Sequence, residues 1–468
     1  MTTDDLEVES TASGFEEPGH LPRRSLESQA IRGTYFVVLS YGLAMGIRLV
    51  SNLVLSRLFM PEYFGLLALL TTVIVGLTLL SHIGVQDSII QNPRGDQPIF
   101  LNTAWTLQVL QGLLVWGMTI VVAWPIARFY HEPRMIVLLP ALGFASVISG
   151  FSSPSLLTLA RHLGVGKLSA LELVNQIVQF VVTLIWALIQ PTIWALVAGR
   201  IASEVVRTIV SYRILREIRP RFTWDQQSVR ELIRFGRWIL IGTALTFLAL
   251  QSDRLILGKL ISFQLLGVYG IAFTLSDIPR QIIFQFCSRI GYPFVSKLSG
   301  LPRADYRRSF LKYRMPVLAA GGLMLIAVIS VGDIVVLHIY TKPYHGAAWM
   351  VGIFALGLWH TMLYGTTNPA IMALQKAHYN AFAYLVYCVS LYILLPWGFH
   401  LLGMVGAVGA VAVSDLPVYF VTAYSASREG IGTLRQDAIF TLAFVTLLVL
   451  VLLARASLGF GWPFPHLP

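Results

Sequence analysis

Thirteen stretches of this chain are long and apolar enough to cross a bilayer, at about 34–56, 64–86, 102–125, 135–158, 168–190, 192–212, 235–253, 265–287, 315–338, 347–372, 380–400, 403–424 and 438–456. A hydrocarbon core of about 30 Å takes about 20 residues of helix. Lipid offers no partner to an unpaired backbone N–H or C=O, so these stretches fold as helices rather than open strands. Mean hydropathy is +0.70 and charged residues make up only 12% of the 468, outside the range of a soluble core of this size. The expected class is an all-α polytopic membrane protein.

The formal charge of +11 raises the question of nucleic acid, and the placement of the charge answers it. With the N-terminus in the cytoplasm, and with Arg237 and Arg455 at span ends counted with the segments they adjoin, 23 Lys and Arg fall in cytoplasmic segments and 7 in external ones, while Arg48, Arg200, Arg207 and Arg280 lie within spans. That bias is the positive-inside rule and implies no nucleic-acid partner. The densest basic runs, Arg213 to Arg237 and Arg303 to Arg314, read as topology signals in contact with anionic headgroups. Residues 1–30 carry Asp4, Asp5, Glu7, Glu9, Glu16 and Glu17 with no apolar run. They are expected to form a disordered acidic cytoplasmic tail rather than a signal peptide. Cys287 and Cys388 stand 101 residues apart in or at the end of spans and read as small packing residues.

Two groups of six spans are expected, a bundle over 31–217 and a bundle over 231–427, joined by an Arg-rich linker at 218–230. An extra helix and tail over 428–468 follow. Membrane transporters often arise by internal repetition, and an ungapped repeat is visible at an offset of 202 residues. Leu55-Ser-Arg57-Leu58 followed by Phe64-Gly65 matches Leu257-Gly-Lys259-Leu260 followed by Leu266-Gly267. External loops stay below roughly 15 residues, which leaves no room for the domain that an external glycan polymerase or ligase uses. No Walker motif, zinc-ligand spacing or dinucleotide turn is present, so neither enzymatic activity nor a cofactor is expected.

An ionisable residue inside a span is costly unless it meets a partner or water, which makes it a functional candidate. Arg48 lies past the middle of the first span with Asn52 one turn on, either in a helix–helix salt bridge or as a fixed positive charge in a cavity. Arg200, Glu204 and Arg207 form one face of the sixth span. Glu172, Asn175, Gln176 and Gln179 make a polar stripe on the fifth, serving as interhelical glue or cavity lining. In the eighth span Asp277 and Arg280 can pair beside Pro279, which kinks a helix. His360, Tyr364 and Asn368 recur every four residues in the tenth. Asp333 and Asp415 stand within spans without a near partner in sequence, candidates for binding a coupling H+ or Na+. Arginine's planar fork suits phosphate and carboxylate oxygens, which favours an anionic cargo.

Arg57-Leu-Phe-Met-Pro61-Glu62-Tyr-Phe-Gly65, Gly84-Val-Gln-Asp87-Ser-Ile-Ile-Gln91 and Asn102-Thr-Ala-Trp105 resemble the opening of Wzx-type flippases for polysaccharides and lipid-linked oligosaccharides. Asp253-Arg254-Leu-Ile-Leu-Gly258-Lys259 with Leu266-Gly267-Val-Tyr269 is similar to the seventh-to-eighth span pattern of the same group, within the multidrug/oligosaccharidyl-lipid/polysaccharide exporter superfamily. The resemblance covers about residues 31–425. It implies a V-shaped pair of six-helix bundles around a central cavity, working by alternating access. An undecaprenyl-diphosphate-linked glycan would pass from the inner to the outer leaflet of the bacterial inner membrane, in company with a polysaccharide polymerase and a chain-length regulator. In that picture Arg48, Arg200 and Arg280 attract the diphosphate or acidic sugars, with Asn52, Glu172, Gln176, Asp277, His360 and Tyr364 as further cavity candidates. Asp253 and Arg254 read as an outer-gate salt bridge, Asp87 as an inner-gate residue, and Glu204, Asp333 and Asp415 as gate or coupling residues. The family commonly has 12 or 14 spans, and thirteen departs from it. The rival of the same fold is a MATE-like, ion-coupled exporter of drugs or other small molecules. A membrane-embedded glycan polymerase and a passive scaffold are the readings from other classes.

Overall fold

The computed structural model describes residues 42–81, 85, 88–89, 92–161, 165–214 and 220–464, and every regular element among them is helical. Seven helices are long and apolar enough to cross a membrane by length and composition alone. Within the described residues the thirteen predicted stretches lie largely on helix, the first over 42–58 and the last over Leu434–Ser457. The eleventh and twelfth share one continuous assignment, His378–Val413, that turns at Leu402 and Gly403. Gly403 has φ +57°, a conformation that costs an L side chain energy, so glycine makes the turn there.

The 202-residue repeat has a structural counterpart. Helix 42–58 ends at Leu58 and the next helix starts at Pro61; helix Gln226–Leu260 ends at Leu260 and the next starts at Phe263. Each pair of boundaries differs by 202. The main apolar core draws on both halves, joining Leu55, Phe59, Leu66 and Leu69 to Leu257, Leu266, Tyr269 and Tyr344. At the other end of the molecule Asn92 Nδ2 and Arg94 Nη1 donate to Glu231, both at 3.0 Å. The Asn92 hydrogen bond is the main cause holding the Glu231 carboxyl below its usual range.

Asp253 and Arg254 do not form the expected salt bridge. Adjacent residues on a helix point about 100° apart, and their helix continues to Leu260. Asp253 is buried and its Oδ2 accepts from the Tyr269 hydroxyl at 2.6 Å, while Arg254 donates to Gln251 at 3.1 Å. Tyr269→Phe is therefore expected to lower stability by about 1–3 kcal/mol, the usual penalty for stranding a buried acceptor. Thermal unfolding in detergent checks it.

The last helix is fixed to Arg303–Ile339 by a buried ion pair near each end. Arg314, wholly buried rather than at the headgroups, donates to Asp437 Oδ1 at 2.6 Å, Leu363 O at 2.7 Å and Thr366 Oγ1 at 3.0 Å. Asp333, which the sequence leaves without a partner, accepts from Arg455 Nη1 at 2.8 Å. The pairs are separated by 19 residues on one helix and 18 on the other, a rise of about 28 Å on each, so together they set the parallel register.

Candidate transport cavity and buried ion cluster

The first half holds a partly open cavity of about 660 Å³ between helices Pro61–Leu80, Pro98–Tyr130, Met135–Gly150, Val165–Ile189 and Ile193–Ile214. Its polar lining comprises Thr71, Thr78, Gln108, Gln111, Ser146, Ser149, Gln179, Arg200 and Glu204. Gln108 also donates to Gly150 O at 3.0 Å and Ser152 O at 3.3 Å, covering carbonyls freed where the fourth span breaks between Gly150 and Ser155.

Arg200 Nη2 lies 2.8 Å from Glu204 Oε1, the expected i, i+4 pair, and Arg207 approaches the other oxygen at 3.9 Å. Glu204 is buried, and its Oε2 makes no hydrogen bond among the described residues. The same holds for Asn175 Oδ1 and Gln176 Oε1 on the neighbouring helix. Two guanidinium groups against one carboxylate leave this set at formal +1. Glu172 is exposed and Asn52 half-buried. Arg48 is exposed on helix 42–58 and has no ion pair among the described residues. Asp87 falls outside those residues.

The second half holds a separate cluster built on two broken spans. Ser276-Asp277-Ile278-Pro279 interrupts the eighth span, dividing Phe263–Ser276 from Ile278–Phe286. Ser414-Asp415-Leu416-Pro417 interrupts the twelfth, dividing Val413 from Leu416–Arg428. Each proline lacks a backbone N–H, and its ring clashes with the preceding turn, so both spans break at the aspartate two residues earlier. The serines turn back on nearby carbonyls, Ser276 Oγ to Ala272 O at 2.8 Å and Ser414 Oγ to Val411 O at 2.9 Å.

Asp277 accepts from Arg280, including Nη2 at 2.9 Å, and from Gln281 Nε2 at 2.9 Å. Asp415, expected to stand alone, bonds His360 Nε2 and accepts from Thr361 Oγ1 at 2.6 Å and Tyr364 OH at 3.2 Å. Ser276, Arg280, Thr361, Tyr387 and Asp415 share the lining of one cavity of about 60 Å³. The structure thus sets Arg280 beside the second-half carboxylates, apart from Arg200. With His360 neutral, two carboxylates and one guanidinium sum to −1. One proton or one monovalent cation would bring the cluster to zero, and the small cavity fits an ion of that size. Thr361 was missed in the sequence, and the duplicated Ser-Asp-x-Pro is the signal that would have found the pairing.

Residues 54–348 match the sequence family described as polysaccharide biosynthesis protein. The chain belongs to that family. It is 24% identical over 275 residues to the lipopolysaccharide biosynthesis protein WzxC of Escherichia coli (strain K12), covering 58% of this chain and 56% of WzxC. It is 22% identical over 262 residues to the succinoglycan biosynthesis transport protein ExoT of Rhizobium meliloti (strain 1021), covering 56% and 53%. The chain thus spans a little over half the length of these curated relatives. Its fold is that of the lipid II flippase MurJ in an inward closed conformation, at TM-score 0.64, 11% identity and coverage of 92% and 99%. An inward-facing MATE-family multidrug resistance transporter of the MOP superfamily superposes at TM-score 0.62, with 12% identity and coverage of 86% and 98%. These likenesses bear out the Wzx-type resemblance and the two-bundle transporter architecture read from the sequence. The family and fold are those of multi-pass membrane transporters.

Proposed function

We propose that this protein moves an undecaprenyl-diphosphate-linked oligosaccharide from the inner to the outer leaflet of a bacterial inner membrane by alternating access, with its N-terminus in the cytoplasm. The observation that carries this reading is the first-half cavity of about 660 Å³ inside a helical membrane bundle, lined by amides, hydroxyls and the Arg200–Glu204 pair, with Arg207 beside Glu204 at 3.9 Å bringing the set to formal +1. A low-dielectric wall strengthens such a charge towards an anion. Amide and hydroxyl groups satisfy sugar hydroxyls, and Glu204 Oε2 has a free acceptor site for one. Arg48, exposed and without an ion pair among the described residues, is a cation proposed to meet the diphosphate, whose polyprenyl chain stays in lipid. The names of WzxC, ExoT and MurJ point to the same class of cargo. A polymerase and a chain-length regulator are the proposed partners, and no enzymatic step is assigned to the chain.

The second-half cluster at −1 is the proposed seat of a coupling H+ or Na+. Cargo and coupling ion would then occupy opposite halves and carry opposite charge. The MATE-like small-molecule exporter keeps one observation in its favour, the shared fold at TM-score 0.62. Complementation separates the two: Arg48→Ala and Glu204→Gln are each expected to cut surface-glycan export at least tenfold at unchanged protein level. Full export by both variants, or a phenotype confined to drug sensitivity, would favour the exporter.

A further inference from the structure

We infer that Gly65 and Gly267 form the outer gate of the transport path, closed in this structure by direct backbone contact across the pseudo-twofold axis relating the halves. The inference rests on the alternating-access reading and adds to it the place where the outer seam parts. The two glycines are repeat equivalents, 202 residues apart, and they meet each other. A Cβ built on Gly65 overlaps Phe263 O and comes 2.8 Å from Gly267 N. A Cβ built on Gly267 overlaps Pro61 O and comes 3.1 Å from Gly65 N. Pro61 and Phe263 are themselves 202 apart, so each glycine faces the residue one turn before the other glycine. Such a reciprocal contact is what a twofold axis generates at the point where it crosses an interface.

The contact joins the first turns of helices Pro61–Leu80 and Phe263–Ser276, at the end that the charge bias places outside. Real Cβ atoms do not approach so closely, so only glycine at both positions lets the helices touch. The seam itself is backbone against backbone, with apolar side chains of both halves, among them Leu66, Leu69, Leu266 and Tyr269, packed around it. Among the described residues a few side-chain bonds flank it, including those of Lys259 Nζ to Phe129 O and His131 Nδ1. Tyr344 OH donates to Phe59 O at 3.0 Å, Thr341 Oγ1 to Ser56 O at 3.2 Å, and Tyr130 OH to Leu255 O at 3.1 Å. Leu69, one turn deeper, is fully buried behind the seam.

The test uses the full chain in liposomes with Leu69→Cys as reporter and a membrane-impermeant maleimide outside. Native Cys287 and Cys388 are buried, and the parent without the reporter gives the background. The expected result is slow labelling on the native background and labelling at least tenfold faster with Gly65→Ala or Gly267→Ala. Gly117→Ala, where an added Cβ meets nothing within 4 Å, should change nothing. Spin labels at Met60→Cys and Gln264→Cys, both exposed, report the same opening as a longer distance population in the glycine variants. Monodisperse glycine variants with unchanged labelling and unchanged distances would overturn the gate. Neither readout uses a cargo, so an opening seam with no glycan movement would leave the gate standing and remove the flippase reading instead.

Discussion

Arg314→Met is expected to destabilise the protein by about 3–5 kcal/mol, the usual cost of stripping one partner from a buried ion pair. Asp437 would keep its Thr433 and Tyr419 hydroxyl contacts at 3.0 and 3.3 Å but lose its countercharge in a site only 2% exposed. The Leu363 carbonyl would lose its guanidinium donor in the same step. Arg314→Met with Asp437→Leu should recover most of the loss, since an apolar pair of similar volume leaves no charge uncompensated. Arg435→Met, one turn away and exposed, should stay within about 0.5 kcal/mol. Thermal unfolding of the detergent-purified variants decides. A single variant as stable as the parent would show that the Arg314–Asp437 pair does not hold the last helix.

Asp415→Asn is expected to cut transport at least tenfold and abolish its dependence on the driving ion, with little loss of folded protein. The amide keeps the shape and can still accept from Thr361, but it takes the cluster from −1 to zero, so no ion is needed to neutralise it. Transport by the parent under an imposed pH gradient or an imposed sodium gradient separates the two coupling ions. Transport by Asp415→Asn at the parental rate, still driven by the same gradient, would make the cluster a purely structural feature.

Most of the architecture was legible in the sequence because a bilayer imposes one simple demand, about 20 apolar residues per crossing, and the chain meets it thirteen times. The pairs within one helix turn, Arg200 with Glu204 and Asp277 with Arg280, were legible for the same local reason. Pairings between helices were not. Arg455 lies 122 residues from Asp333 and His360 lies 55 from Asp415, and no period or spacing links them. Arg314 sits in a basic run whose average character is that of a cytoplasmic loop, and only packing shows that its guanidinium turns inward. The break at Pro279 was readable as a kink, but the matching one at Pro417 and their meeting around one small cavity emerged only with the tertiary fold. The repeat pointed to Gly65 and Gly267, and the structure added that they touch.

The most direct test of the proposed function is the amount of undecaprenyl-diphosphate-linked glycan in each leaflet of cells lacking the gene. The expected result is accumulation on the cytoplasmic side, relieved by the intact gene and not by Arg48→Ala. An even distribution between leaflets, with surface polysaccharide unchanged, would contradict it.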